Sequence, residues 1–135
     1  MKRKIKILIV DDEAPICLLL KRYLERIGFQ TFVATDGEQA LDIVREEKPA
    51  IMTLDIRMPG LNGYEVLEKV KRRYPEMFII VISAIDVPNM EEILERSGAH
   101  ALLHKPIELQ KLSDIICGFV GICGKPLLDK EKGDG

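Results

Sequence analysis

Five residues of this sequence stand where short apolar runs end, and their types suit one kind of chemistry. Asp11 and Asp12 close the run IKILIV at 5–10, and Asp55 closes IMTLD at 51–55. Ser83 follows FIIVI at 78–82, and Lys105, with Pro106 after it, follows ALLH at 101–104. Brought together, the three carboxylates repel: a pair about 4 Å apart does so by about 4 kcal/mol at an effective dielectric of about 20. Lys105 offsets only one of the three charges. A hard divalent cation such as Mg²⁺, which prefers oxygen ligands and retains several waters, offsets the rest. An aspartate held beside Mg²⁺, a hydroxyl and a lysine is placed to attack phosphorus, with the metal and the lysine stabilising charge on the phosphoryl oxygens.

The elements that must position these residues are legible as alternating patterns. IKILIV and FIIVI are rich in β-branched residues and too short for helices, and FIIVI reads as a central strand buried on both faces. Segments 31–34, 51–55 and 101–104 are further strands. Between them, Ile16, Leu19, Leu20, Tyr23, Leu24 and Ile27 form an apolar helical stripe, with Pro15 tolerated in its first turn and Gly28 closing it. Asp36-x-x-Gln39, Asn62-x-x-Glu65 and Asn89-x-x-Glu92 read as capping boxes opening the next three helices. Leu67, Val70 and Tyr74 line the third helical pattern, and Met90, Ile93 and Leu94 the fourth. Leu109, Leu112, Ile115, Ile116, Phe119 and Val120 line the fifth. Five β-α repeats imply an α/β fold: a five-stranded parallel sheet with right-handed crossovers and helices on both faces. In such a sheet ligands bind at the carboxyl ends of the strands, where the five residues stand.

Composition narrows the function. The chain has 135 residues, the size of one domain, and 47% of them are hydrophobic. With 20 Lys+Arg against 22 Asp+Glu, nothing pulls it onto nucleic acid or an anionic membrane. No apolar run approaches a bilayer span. The N-terminal MKRKIKILIVDDE meets two aspartates after six apolar-run residues and carries no small-residue cleavage site, so the expectation is a cytoplasmic protein. Three cysteines without metal-like spacing fit reduced thiols. The expected domain covers 4–121, and the small, charged, Gly/Pro-interrupted stretch 122–135 reads as a flexible C-terminal tail.

The sequence resembles the response-regulator receiver domains of two-component signalling. The matching text is ILIVDDE at 7–13, LDIRMPGLNG at 54–63, VISA at 81–84, GA at 98–99 and KP at 105–106. Each segment is a weak signal, but all five occur in order and at strand ends. The resemblance implies a flavodoxin-like (βα)5 fold with strand order 2-1-3-4-5. It implies that Asp55 is the phosphoryl acceptor. It also implies that Asp12, Asp55 and the backbone carbonyl of Arg57 bind Mg²⁺, with Asp11 assisting. Lys105 would contact the phosphoryl group, Ser83 would hydrogen-bond it, and the Lys105–Pro106 bond would be cis. The implied donor is a phosphohistidine on a sensor histidine kinase or a phosphotransfer protein. The expected output is a changed binding surface for a downstream protein or a second copy of the chain, built from the fourth helical pattern, the fifth strand and the fifth helical pattern. The family's aromatic switch residue is replaced here by Leu102.

Duller readings exist for each residue. A lone strand-end Asp often caps a turn, Ser83 suits a satisfied hydroxyl, and Lys105 a solvated charge. His100 and His104 read as surface or strand-end residues, and Met58-Pro59-Gly60 as turn scaffolding. The combination of three aspartates with Lys105 is what the duller readings do not explain. Two other functions fit less well. An aspartate-nucleophile phosphatase places its nucleophile on the first strand with a second Asp two residues on, and here that position is Glu13. A docking pseudo-receiver has no need of an intact Asp11, Asp12, Asp55, Ser83 and Lys105. The expected protein is thus a switch that is itself phosphorylated, rather than an enzyme.

Overall fold

The computed structural model describes residues 4–57, 63–83, 92 and 98–121. Five strands, β1 (Lys6–Val10), β2 (Gln30–Ala34), β3 (Ile51–Asp55), β4 (Phe78–Ser83) and β5 (Ala101–His104), pair in parallel in the order β2-β1-β3-β4-β5. The observed strands match the apolar runs to within one residue at each end. FIIVI lies in the interior strand β4, whose residues from Ile79 to Ser83 are all buried.

Alternation along the strands sorts side chains to two faces. Leu8, Val10, Met52, Leu54, Ile79 and Val81 pack against α2 (Gly37–Glu47) and α3 (Gly63–Arg73). Ile7, Ile9, Ile51, Ile80 and Ile82 pack against α1 (Ala14–Arg26) and α4 (Leu109–Val120). Here α4 is the fifth of the helical patterns. The fourth, with Met90, Ile93 and Leu94, lies outside the described residues, as do 58–62 and 122–135.

Helix ends follow the sequence signals in part. Asp36 caps α2 by accepting from the Gln39 N–H at 2.8 Å. Gln39 does not return the bond to Asp36: its side chain accepts from the Thr35 N–H at 2.7 Å, one residue earlier. Gly28 takes φ +111° after α1, a conformation open to glycine. The α1 stripe differs from expectation at one position, since Cys17, Leu20 and Leu24 are its buried residues and Leu19 is exposed. Cys17 faces the sheet one turn before Leu20, which turns Leu19 outward. Cys17 is a free buried thiol.

Two features of β4 and its neighbours lead to predictions. Thr53 is buried between its register partners Ile9 and Ile80, and its hydroxyl has no hydrogen-bond partner among the described residues. Thr53→Val keeps the shape and removes that buried polar atom, so it stabilises the fold by about 1 kcal/mol; denaturant titration reads the gain. At the entrance to β5, the Ile79 N–H donates to His100 Nδ1 at 3.1 Å, and Lys71 Nζ lies 3.3 Å from Nε2. Burial first, and the Lys71 charge second, push His100 below its ordinary 6.5. A histidine with a depressed value favours the fold when neutral. Its contribution is therefore present above 6.5 and is lost as pH falls from there through the lowered value. An NMR titration of His100 with its midpoint below 6.5 is the expected result.

Candidate functional site

The strand order reverses at β1: the chain runs outward to β2, then returns to the other side of β1 as β3. A crevice opens at the carboxyl ends of β1 and β3 at such a reversal. The register pairs Val10 with Leu54, so Asp11 and Asp55 stand side by side one residue further on. Backbone ladders continue past the strand ends and hold these positions. The Asp11 N–H donates to the Ala34 carbonyl at 3.1 Å, Ile56 N–H to Ile82 at 3.3 Å, and Lys105 N–H to Ser83 at 2.9 Å. Ser83 is buried at the end of β4 beside His104 of β5.

The two central carboxylates are arranged alike. Asp11 Oδ1 accepts from the Glu13 N–H at 2.9 Å, and Asp55 Oδ1 from the Arg57 N–H at 3.0 Å, each closing a turn two residues long. Their Oδ2 atoms both face Lys105, at 3.0 Å from Asp11 and 3.2 Å from Asp55. The Lys105–Pro106 bond is cis, as the resemblance implied. Asp12 is exposed at the rim, and one carboxylate oxygen from each of Asp11, Asp12 and Asp55 lies within 4.8 Å of the others. The structure thus brings Asp11, Asp12, Asp55 and Lys105 together and sets Ser83 and Arg57 on the flanking strand end and turn.

The electrostatics follow from this packing. Burial raises the Asp55 carboxyl above its ordinary value, and the Asp11 charge adds to the rise. The Arg57 N–H and Lys105 oppose it. Burial alone lowers the Lys105 ammonium. Its hydrogen bonds to Glu13 and Asp11, with the charges of Asp11 and Asp55, outweigh that and hold it well above the usual lysine range. Cys17 donates its thiol to the Asp11 carbonyl at 3.2 Å. Burial, then the Asp11 charge, pushes this thiol up to about 11, which makes it a packing residue and a poor nucleophile.

One member of the cluster was missed by sequence reasoning. Glu13 Oε1 lies 2.8 Å from Lys105 Nζ, the shortest of the three lysine contacts. Its signal was its place directly after the Asp11-Asp12 pair at the mouth of the crevice. Leu102 is half-buried against the core that contains Val81.

A parallel 2-1-3-4-5 sheet with carboxylates and a lysine at its reversal point is the architecture of a phosphoryl-accepting receiver. The chain belongs to the response regulator receiver domain family, whose model matches residues 7–117. It is similar to sporulation initiation phosphotransferase F of Bacillus subtilis (strain 168), with 36% identity over 111 residues, covering 82% of this chain and 90% of that protein. Among solved structures, a CheY-like response regulator receiver domain protein from Methanospirillum hungatei JF-1 is 27% identical with a TM-score of 0.80, covering 98% of this chain and 100% of that one. The receiver domain of NtrX from Brucella abortus is 32% identical with a TM-score of 0.74, covering 82% and 93%. The chain is therefore a receiver domain of two-component signalling, a family of phosphorylation-activated switches that work with histidine kinases or phosphotransfer proteins. Among the described residues no helix is long and apolar enough to cross a membrane.

Proposed function

We propose that Asp55 takes a phosphoryl group from a phosphohistidine of a sensor histidine kinase or phosphotransfer protein, in a Mg²⁺-dependent reaction of a cytoplasmic protein. The observation that carries this reading is the placement of Asp55: its Oδ2 lies 3.2 Å from Lys105 Nζ, in one group with Asp11 and Asp12. A carboxylate oxygen of Asp55 attacks phosphorus. The P–N bond of the donor breaks, and the imidazole leaves with its electron pair, giving an acyl phosphate on Asp55. Lys105 holds a phosphoryl oxygen by charge, and Ser83 donates a hydrogen bond to another. The sheet edge keeps the acceptor aligned, so little reorganisation is needed.

The donor set of the cluster fits Mg²⁺, since its side-chain ligands are all carboxylate oxygens with no His or Cys among them. Asp11, Asp12, Asp55 and the Arg57 carbonyl would hold the ion. When bound, it neutralises charge on the phosphoryl oxygens. Asp12 is the carboxylate of this set without a lysine contact, and its exposed position leaves the core untouched. Asp12→Ala therefore weakens Mg²⁺ binding by at least about tenfold while the melting temperature stays equal or rises, because a like-charge contact is removed. Calorimetric titration with Mg²⁺ checks this, and an unchanged affinity would count against the site. The name of the Bacillus relative, a phosphotransferase, supports phosphoryl transfer as the chemistry. The chain acts once per phosphoryl group and on itself, as a switch rather than an enzyme with turnover. Its output is read by a downstream protein or a second copy of the chain on the surface that includes β5 and α4. The reading is tested by incubation with acetyl phosphate and Mg²⁺: a gain of one phosphoryl group, lost when Mg²⁺ is chelated, is expected.

A further inference from the structure

The Lys105 ammonium has three N–H donors, and three carboxylates face it: Glu13 at 2.8 Å, Asp11 at 3.0 Å and Asp55 at 3.2 Å. The partners differ in one respect. The Asp11 and Asp55 side chains are 3% and 5% exposed, whereas that of Glu13 is 57% exposed. An incoming phosphoryl oxygen that is to contact Lys105 must displace one of the three. Asp11 is fixed by its turn and enclosed, and Asp55 Oδ2 gives up its contact only as it bonds to phosphorus, but Glu13 can return to water beforehand.

The backbone of Glu13 explains how its side chain is aimed. Glu13 is the N-cap residue of α1, and its carbonyl accepts from the Ile16 and Cys17 N–H groups at 3.0 and 3.2 Å. Its own N–H is held by Asp11 Oδ1. Its side chain makes no capping bond. The residue is thus anchored on both sides by its main chain, while its carboxylate crosses to the loop after β5.

We infer that Glu13 is a positioning residue that occupies the phosphoryl-facing donor of Lys105 in the resting protein and gives it up when a phosphoryl group arrives. The inference rests on the reading of Asp55 as acceptor. It makes the start of α1 sensitive to occupancy of the site, because the Glu13 side chain is released there. It also makes Glu13 a brake on phosphorylation, since its contact must break first.

Two substitutions separate the contact from the charge. Glu13→Ala removes both. Glu13→Asp keeps the charge but is one methylene short, and aspartate at an N-cap turns back to the helix N–H groups. With acetyl phosphate and saturating Mg²⁺, both variants should label Asp55 about two- to fivefold faster than the wild type, the span expected of a half-exposed ion pair. Nitrogen-edited NMR should show faster proton exchange at the Lys105 ammonium in both variants before any donor is added, a change that a purely structural role would not produce. Glu13→Asp at the wild-type rate, or either variant slower than wild type, overturns the inference. Wild type labelled at Asp55 with both variants unchanged defeats the inference alone. Wild type that takes no label at Asp55 defeats the acceptor assignment and the inference with it.

Discussion

Asp55→Ala leaves no phosphoryl uptake above the uncatalysed background, and the variant still folds. The loss is complete because no other carboxylate among the described residues has the same placement. Asp11 is equally buried and equally close to Lys105, but it sits on the neighbouring strand, and Asp12 stands at the rim without a lysine contact. Folding is preserved because the fold tolerates the Asp55 charge rather than depending on it: burial raises its carboxyl above the ordinary value, so removing it relieves a desolvation penalty. Lys105 retains Asp11 and Glu13, so no uncompensated ammonium is left behind. The net change in stability is within about 1 kcal/mol. Phosphoryl uptake measured by intact mass, beside a thermal melt of the same sample, separates the two effects.

Gly63→Ala has the largest expected effect on the scaffold. A Cβ at Gly63 would lie 2.5 Å from Ile56 Cα, 2.7 Å from the Ile56 carbonyl oxygen and 2.8 Å from that of Asp55. These are backbone atoms of the strand end that carries Asp55 and of the turn after it. They cannot rotate away as a side chain can, and the Gly63 N–H is bonded to the Ile56 carbonyl at 3.0 Å. Either α3 moves outward or the turn after Asp55 deforms. The expected loss is about 3 kcal/mol, which for a domain of this size lowers the melting temperature by about 10 °C. Phosphoryl uptake falls as well, because the turn carries the Arg57 N–H that fixes Asp55 Oδ1. Gly118→Ala is the control: a Cβ there meets nothing within 4 Å, so the change is neutral or stabilising.

Much of this arrangement was legible in the sequence because strand ends are marked by abrupt chemistry. IKILIV stops at Asp11-Asp12 and FIIVI at Ser83, so the edge that carries the site could be read without coordinates. Asp55 needed the order of the strands as well, since only their reversal brings it beside Asp11. The contacts that were not legible depend on direction rather than type. Glu13 looks like an ordinary residue at a helix start, and its crossing to Lys105 is set by a turn that only the fold supplies. Leu19 fits a helical stripe as well as Cys17 does, and which of them is buried depends on how α1 is rotated over the sheet. Gln39 completes a capping box by type, but the chain before Asp36 offers it the Thr35 N–H instead. The isolated hydroxyl of Thr53 has no sequence signal, because threonine is at home in any strand.

The acceptor assignment is tested most directly by locating the phosphoryl group itself. The protein is treated with acetyl phosphate and Mg²⁺ and then reduced with borohydride, which converts an aspartyl phosphate to homoserine, and peptide mass spectrometry reads the site. Homoserine at position 55, absent when Mg²⁺ is chelated, is the predicted result. Homoserine at position 11 or 12, or full labelling that persists in Asp55→Ala, would contradict it.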